Sequence, residues 1–279
     1  MNFKNKIAGS AILILATCIT IISCQKMDRP TLGNFPKDSN PPGGPLKFYA
    51  ALDGTSVDSI RANFGADYDV SYVPGLSGQA AQMDGTKNGY ITWHTANDFG
   101  TSSNFTISFW MKITLAQKDN SHAVGVLAFA NSENFWGNVT FYADNTTKGN
   151  SDSMDLKIHF NAQGNGDVWD AAGYTGAKRW PHMYDGEWHQ VAITYNASNS
   201  QFTAYRDGVQ FDQMTLGNKI VFENSSQLIL GGFQEAAGIS STYADNSWMA
   251  GFPGMFDNVR LYGTTLTAAE IAALYAAKL

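Results

Sequence analysis

The sequence predicts an all-β domain folded as a two-sheet antiparallel sandwich with one short C-terminal helix. Three observations carry that prediction. Period-2 hydrophobic segments recur along residues 46–279, separated by Asp-Gly, Asn-Gly and Gly-Asn turn signals. They are interrupted by no βαβ alternation and no glycine-rich phosphate-binding pattern. The one convincing helical signal comes last: Thr267 and Glu270 form a capping box, and Leu266, Ile271, Leu274 and Tyr275 make a stripe that can pack on a sheet.

The chain starts with a different kind of segment. Lys4 and Lys6 precede an apolar run over 7–22, too short for a comfortable membrane span, which reads as the core of a secretory signal over 1–23. The run ends in Ile21-Ile22-Ser23-Cys24, which resembles the bacterial lipobox, and that resemblance implies acylation of Cys24 and a bilayer anchor. Gln25 is not the aspartate that resembles an inner-membrane retention signal, so the expected location is the outer membrane, with exposure at the cell surface left open. Residues 24–45 carry Pro30, Pro36, Pro41, Pro42 and Pro45 with Gly43 and Gly44, the composition of a stiff stalk. Loss of 1–23 removes Lys4 and Lys6 and no acid, taking the formal charge from −6 to −8. That charge argues against nucleic acid as a partner. Of the two cysteines, Cys18 leaves with the signal and Cys24 takes lipid, so the folded domain has no disulfide, thiol nucleophile or thiolate metal site.

Within 46–279 the candidate strands are 47–52, 80–83, 90–94, 106–113, 124–129, 140–143, 156–161, 189–195, 201–205, 210–213, 227–230 and 255–262. Arg206-Asp207-Gly208 reads as a tight hairpin turn. Several segments then fall in order: "FTISFWMKI" (105–113), "DGEWHQVAITYN" (185–196), "FTAYRDGVQ" (202–210), "LILGG" (228–232) and "GMFDNVRLYGTTLTAAEIAALY" (254–275). The ordered set resembles the bacterial laminin-G-like branch of the concanavalin A-like jelly rolls and covers essentially all of 46–279. The opening "FYAALDGTSVDS" is similar to a loose form of that family's first motif, and 164–184 is longer and more aromatic than the family pattern.

Jelly rolls of this kind include hydrolases and lyases. A retaining glucanase needs two carboxyls about 5 Å apart, which the family places on one strand as E-x-D-x-x-E. The glutamates here are Glu133, Glu187, Glu223, Glu235 and Glu270, and no two are five apart. "KIHF" around His159 is the nearest echo of a lyase motif and the others are missing, so the expectation is no catalysis. A metal is better motivated. In "MFDNVRLY", Asp257 shares parity with Val259 and Leu261, and a carboxylate on the core side must be neutralised, paired or metal-bound. The family resemblance implies a structural calcium held by Asp257 with Asp53, Asp58 and carbonyls near Thr55. The alternative pairs Asp257 with backbone N–H groups or with Arg260.

The stretch "VWDAAGYTGAKRWPHMY" (168–184) shows no strand or helix period yet holds Trp169, Tyr174, Trp180 and Tyr184, with Asp170, Lys178, Arg179 and His182. Aromatic faces and a few convergent polar groups suit sugars. Outward residues of neighbouring strands, among them Lys157, His159, Asn161, Gln190 and Thr194, are candidates for the floor of such a site. The alternative is that this loop buries its own aromatics against the sandwich. Trp110 and Trp188 are expected to be structural, Trp93 is undecided, and Trp136 and Trp248 are secondary rim candidates in Gly- or Asn-rich loops. The functional expectation is a lipid-anchored carbohydrate-binding module serving a glycan-uptake system, whose partners are a glycan and the proteins of that system. The rivals are a protein-interaction or adhesion module and a divergent hydrolase or lyase.

Overall fold

A computed structural model describes residues 43–144, 151–170, 179–239 and 246–279. The signal, Cys24, nearly all of the stalk, Tyr174 and Lys178 lie outside them. Numbered in chain order, the strands form two sheets. The first runs β15 (Val209–Thr215), β14 (Gln201–Arg206), β13 (Asp185–Asn196), β8 (Phe105–Thr114), β18 (Met255–Tyr262), β1 (Leu46–Ala50), β2 (Val57–Asp58) and β3 (Asn63–Phe64). On β18 it also carries β6 (Gln79–Met83) and its partner β5 (Val70–Pro74). The second runs β12 (Gly166–Trp169), β11 (Leu156–Ala162), β10 (Val139–Asp144), β9 (Ala123–Asn131), β16 (Ser225–Leu230), β7 (Tyr90–Trp93) and β4 (Ala66–Tyr68), with β17 (Met249–Gly251) parallel to β9.

The inner faces meet in one core. Phe105, Ile107 and Phe109 of β8 and Val191, Ile193 and Tyr195 of β13 face Phe141 of β10 and Ile158 and Phe160 of β11. Phe109 meets Phe141 edge-on at 5.5 Å. Alternation along each strand makes this possible, since every second side chain points inward. Trp93 is also fully buried there and donates its Nε1–H to the Ser56 carbonyl. The predicted hairpin between β14 and β15 turns at Asp207 (φ 53°) and Gly208 (φ 75°), the positive-φ pair that a two-residue hairpin requires.

The outer face of the first sheet is covered by the C-terminal helix α1 (Ala268–Ala276), which has the Thr267–Glu270 capping box. Ile271 and Leu274 pack on Ala192, Tyr205 and Tyr262. Trp110 lies under this helix rather than between the sheets: it stacks on Tyr275 at 5.4 Å and donates Nε1–H to the Leu279 carbonyl at 2.9 Å. Trp188, also expected to be structural, is less enclosed. It pairs with Lys112, two residues along from the Trp110–Gln190 pair, and so shares the outer face and is only partly buried.

The expected inward direction of Asp257 is also corrected. Asp257 pairs with Trp110 and Arg260 with Ser108, so an extra residue is accommodated between them, where Asn258 takes φ 52°. This bulge shifts the alternation: Phe256, Val259 and Leu261 enter the core, while Asp257 takes the same face as Trp110.

Candidate functional site

The second sheet's outer face carries a cluster of rings with no α-helix over it among the described residues, only the short 3-10 turn Gln234–Ala237 beside it. His159 on β11 and Tyr142 on β10 lie on the sheet, Trp169 ends β12, and Trp136 and Trp248 come from loops. The Trp136 indole lies nearly parallel on Tyr142, 5.4 Å away at 15°. Trp169 stands edge-on to Trp136 at 4.9 Å, and Trp248 is tilted against it at 5.8 Å. Phe233 closes the cluster, 5.6 Å from Tyr142 and 5.9 Å from Trp248. Tyr142 and Phe233 are buried, whereas all three tryptophans are partly exposed. Stacked on Tyr142 and framed by the two indoles and by Phe135 at 5.0 Å, the partly exposed Trp136 forms the base of a platform.

Polar groups fix this arrangement. Asn134 donates its side-chain N–H to Asn161 and to Asp167, each at 3.1 Å, and accepts from the Trp136 backbone N–H at 2.8 Å. Thr140 donates its hydroxyl to the Trp136 carbonyl. His159, fully buried beneath Trp169, shares a hydrogen bond with Asp167 at 2.9 Å, and burial pushes its imidazole below the ordinary value despite that partner. Asp167 is held low by the same bond, and its side chain is half exposed beside the rings. Lys157 pairs with Asp144 at 2.6 Å and lies 5.9 Å from the Tyr142 ring centre. His159 therefore faces away from the core as its parity requires, but the tryptophans cover it.

The 168–184 stretch divides. Trp169 joins the platform, whereas Trp180 is fully buried in the inter-sheet core, 5.0 Å from Phe211, and forms a bridge with Met154. Tyr184 is buried with the Lys118 ammonium 5.3 Å from its ring centre, and Arg179 is nearly buried. These three are packing and not an open binding surface, because the chain after residue 178 turns back onto the sandwich. His182 is exposed and pairs with Asp152 at 2.5 Å. Asp170 is buried: Oδ1 accepts from the Ile158 N–H at 2.9 Å, Oδ2 has no partner, and burial raises its pKa to about 7. Gln190 and Thr194 belong to the first sheet and cannot floor the same site as Lys157, His159 and Asn161.

The aspartates proposed for calcium also divide. Asp58 is fully buried and its oxygens accept from the backbone N–H groups of Tyr49, Ile60 and Arg61 and the Asn97 side chain, so it braces the opening turn and is not a free ligand. Asp257 Oδ2 accepts from Leu76 N–H at 2.9 Å and Ser77 N–H at 3.4 Å, while Oδ1 is buried with no partner. Burial raises its pKa to about 6, and Asp53 adds to the rise. Asp53 binds the same loop through the Gln79 N–H at 2.9 Å. Arg260 does not pair with Asp257; its guanidinium stacks 4.0 Å over the Tyr49 ring. Among the described residues no three metal-ligating side chains converge.

The sequence model of the concanavalin A-like lectin/glucanases superfamily, in its laminin-G form, matches residues 84–272, well over half of the chain. The chain belongs to that superfamily. Solved structures confirm its fold. The binding domain of Paraclostridial mosquitocidal protein 1 superposes with a TM-score of 0.59 at 14% identity, over 84% of this chain and 52% of that one. Domain 4 of AbnA, an extracellular arabinanase of Geobacillus stearothermophilus solved with arabinotriose, gives 0.55 at 16% identity, over 83% and 98%. The receptor binding domain of the botulinum neurotoxin mosaic serotype C/D gives 0.58 at 12% identity, over 84% and 51%. The chain thus spans about half of the two toxin domains and nearly all of the arabinanase domain. No characterised protein matches by sequence. Within the superfamily fold, reading the sequence alone missed Tyr142 and Phe233 as platform residues, whereas Trp169 and His159 were site candidates and Trp136 and Trp248, by their loop settings, secondary ones.

Proposed function

We propose that this chain is a non-catalytic carbohydrate-binding module that grips a sugar on the Trp136 platform. One observation carries the reading: an indole laid flat on a buried tyrosine, framed by two partly exposed indoles, on a sheet face that no α-helix covers among the described residues. Such rings match the C–H faces of sugars, and the Asp167 carboxylate supplies a hydrogen-bond acceptor at their edge. The arabinotriose bound by the similar arabinanase domain supports this choice of ligand class. The missing E-x-D-x-x-E pattern supports the absence of catalysis. A glycan-array and protein-overlay screen of the soluble protein tests it. Capture of oligosaccharides is expected; recognition of proteins with none of glycans would replace it with an adhesion role, and release of reducing or unsaturated ends would replace it with catalysis.

Export under the 1–23 signal, acylation at Cys24, an outer-membrane anchor and service to glycan-uptake proteins complete the proposal, supported by the lipobox resemblance and the Pro-rich stalk. We also propose a structural calcium between Asp257 and Asp53. The buried, unpartnered Asp257 Oδ1 and the Asp53 carboxylate, both bonded to the 75–79 loop through their side chains, fit a hard cation, with loop carbonyls completing its six to eight oxygens. Bound there, the ion would neutralise the carboxylates and tie the loop to β18. Chelation is expected to lower the melting temperature of the protein and to leave Asp257→Ala unaffected; an unchanged melt with no metal by elemental analysis would overturn the site.

A further inference from the structure

Beside the platform a cleft of about 350 Å³ opens, lined by Lys87, Tyr90, Phe233, Glu235, Asn246 and Met249 among others. It shares Phe233 and Met249 with the tryptophan cluster, so platform and cleft are contiguous on one sheet face. On the far side Tyr90 stacks on the exposed Tyr68 at 4.6 Å, giving the cleft a second aromatic wall. The turn carrying Glu235 is pinned to the Trp136 loop. The buried Gln234 donates to the carbonyls of Asn134 at 2.7 Å and Phe135 at 2.9 Å, and accepts from the Asn131 N–H at 3.0 Å.

The chemistry of the cleft lies in Glu235. Its Oε1 is buried and has no hydrogen-bond partner. Burial pushes the carboxyl up to about 7, and only the residue's own N–H opposes that rise. An unpartnered, desolvated Oε1 is an acceptor whose burial no protein donor offsets, so a ligand hydroxyl brought beside it would be favoured. The lining cation Lys87 already bridges Asp69 and Asp84, each at 3.3 Å, so the rim is acidic overall and unsuited to an anion. Two hydroxyls on adjacent sugar carbons match the two oxygens of a carboxylate, and the aromatic walls suit the ring.

We propose that the Glu235 cleft is a second sugar subsite, which takes one neutral unit of a glycan through a pair of adjacent hydroxyls while the next unit lies on the tryptophan platform. The proposal rests on the carbohydrate-binding reading and adds its selectivity: uncharged sugars bind and uronic acids do not. Arabinotriose, xylotriose, mannotriose and trigalacturonate are titrated into protein labelled at the methionine methyls and tryptophan indoles, read by NMR. At least one neutral trisaccharide is expected to shift the Met249 methyl and the Trp136 and Trp248 indoles together, and trigalacturonate to shift neither. Glu235→Ala should weaken the neutral ligand about ten-fold, with Glu235→Gln between it and the native protein. Indoles that shift with Met249 still, or an affinity unchanged in both Glu235 variants, would overturn the subsite and leave the platform standing. Silence of methyl and indoles with every trisaccharide would overturn both.

Discussion

The two sheets each place tryptophan on an outer face, and they treat it differently. On the first, Trp110 is 3% exposed because α1 and the Leu279 carbonyl cover and bond it, whereas Trp188, further along the same face, stays partly exposed. On the second, Trp136, Trp169 and Trp248 remain partly exposed, although the sheet beneath them is as well packed. Each Å² of apolar surface left in water forgoes about 25 cal/mol of burial free energy. At Trp110 the chain itself supplies a cover and recovers that energy; at the second sheet's cluster the proposed ligand would do so. The same division runs through one stretch of sequence, where Trp169 joins the open platform and Trp180 the closed core.

Substitutions should separate the two classes. The largest effect is expected at Trp180: removing a fully buried indole should cost about 3–5 kcal/mol in a denaturant titration. Trp169→Ala should cost much less, and equal losses at the two positions would erase the distinction. A smaller, pH-dependent contrast exists between ionisable groups on the two sheets. On the second, the folded chain keeps the Asp170 proton up to about 7 while the unfolded chain releases it near 3.8, so stability falls as pH rises through that interval. Asp170→Asn should therefore raise the melting temperature at neutral pH and above, with the gain vanishing toward pH 4. On the first, burial alone would depress His189, but Asp207 at 2.9 Å and Asp185 at 3.1 Å outweigh it and hold the imidazole above 6.5. Its stabilisation is whole below 6.5 and is lost as pH climbs through the raised value, so His189→Gln should destabilise the protein in acid and least in alkali. Melting curves across pH check both signs.

The sequence made the sandwich readable because its long strands alternate and its helix announces itself with a cap; all twelve candidate strands and α1 are present. Strands β2, β3, β4 and β17 escaped because two or three residues show no period, β12 because it lies in the aromatic stretch, and β5 (Val70–Pro74) was missed as well. Asp257 was misdirected by parity, which a bulge at Asn258 breaks, although an asparagine at that point is itself compatible with positive φ. The site was legible only in fragments. Trp136, Trp169 and Trp248 lie far apart in the chain, and their convergence depends on how the end of β12 and two loops meet on one sheet face. Glu235 carries no motif; its isolation from donors exists only after folding.

The most direct test is a calorimetric titration of Trp136→Ala beside the native protein, using the glycan that the array captures best. Loss of about thirty-fold or more in affinity, with the fold intact by circular dichroism, is the result predicted for a platform indole at the centre of the site. Undiminished binding by a folded Trp136→Ala protein would contradict the assignment of the second sheet's outer face as the binding surface.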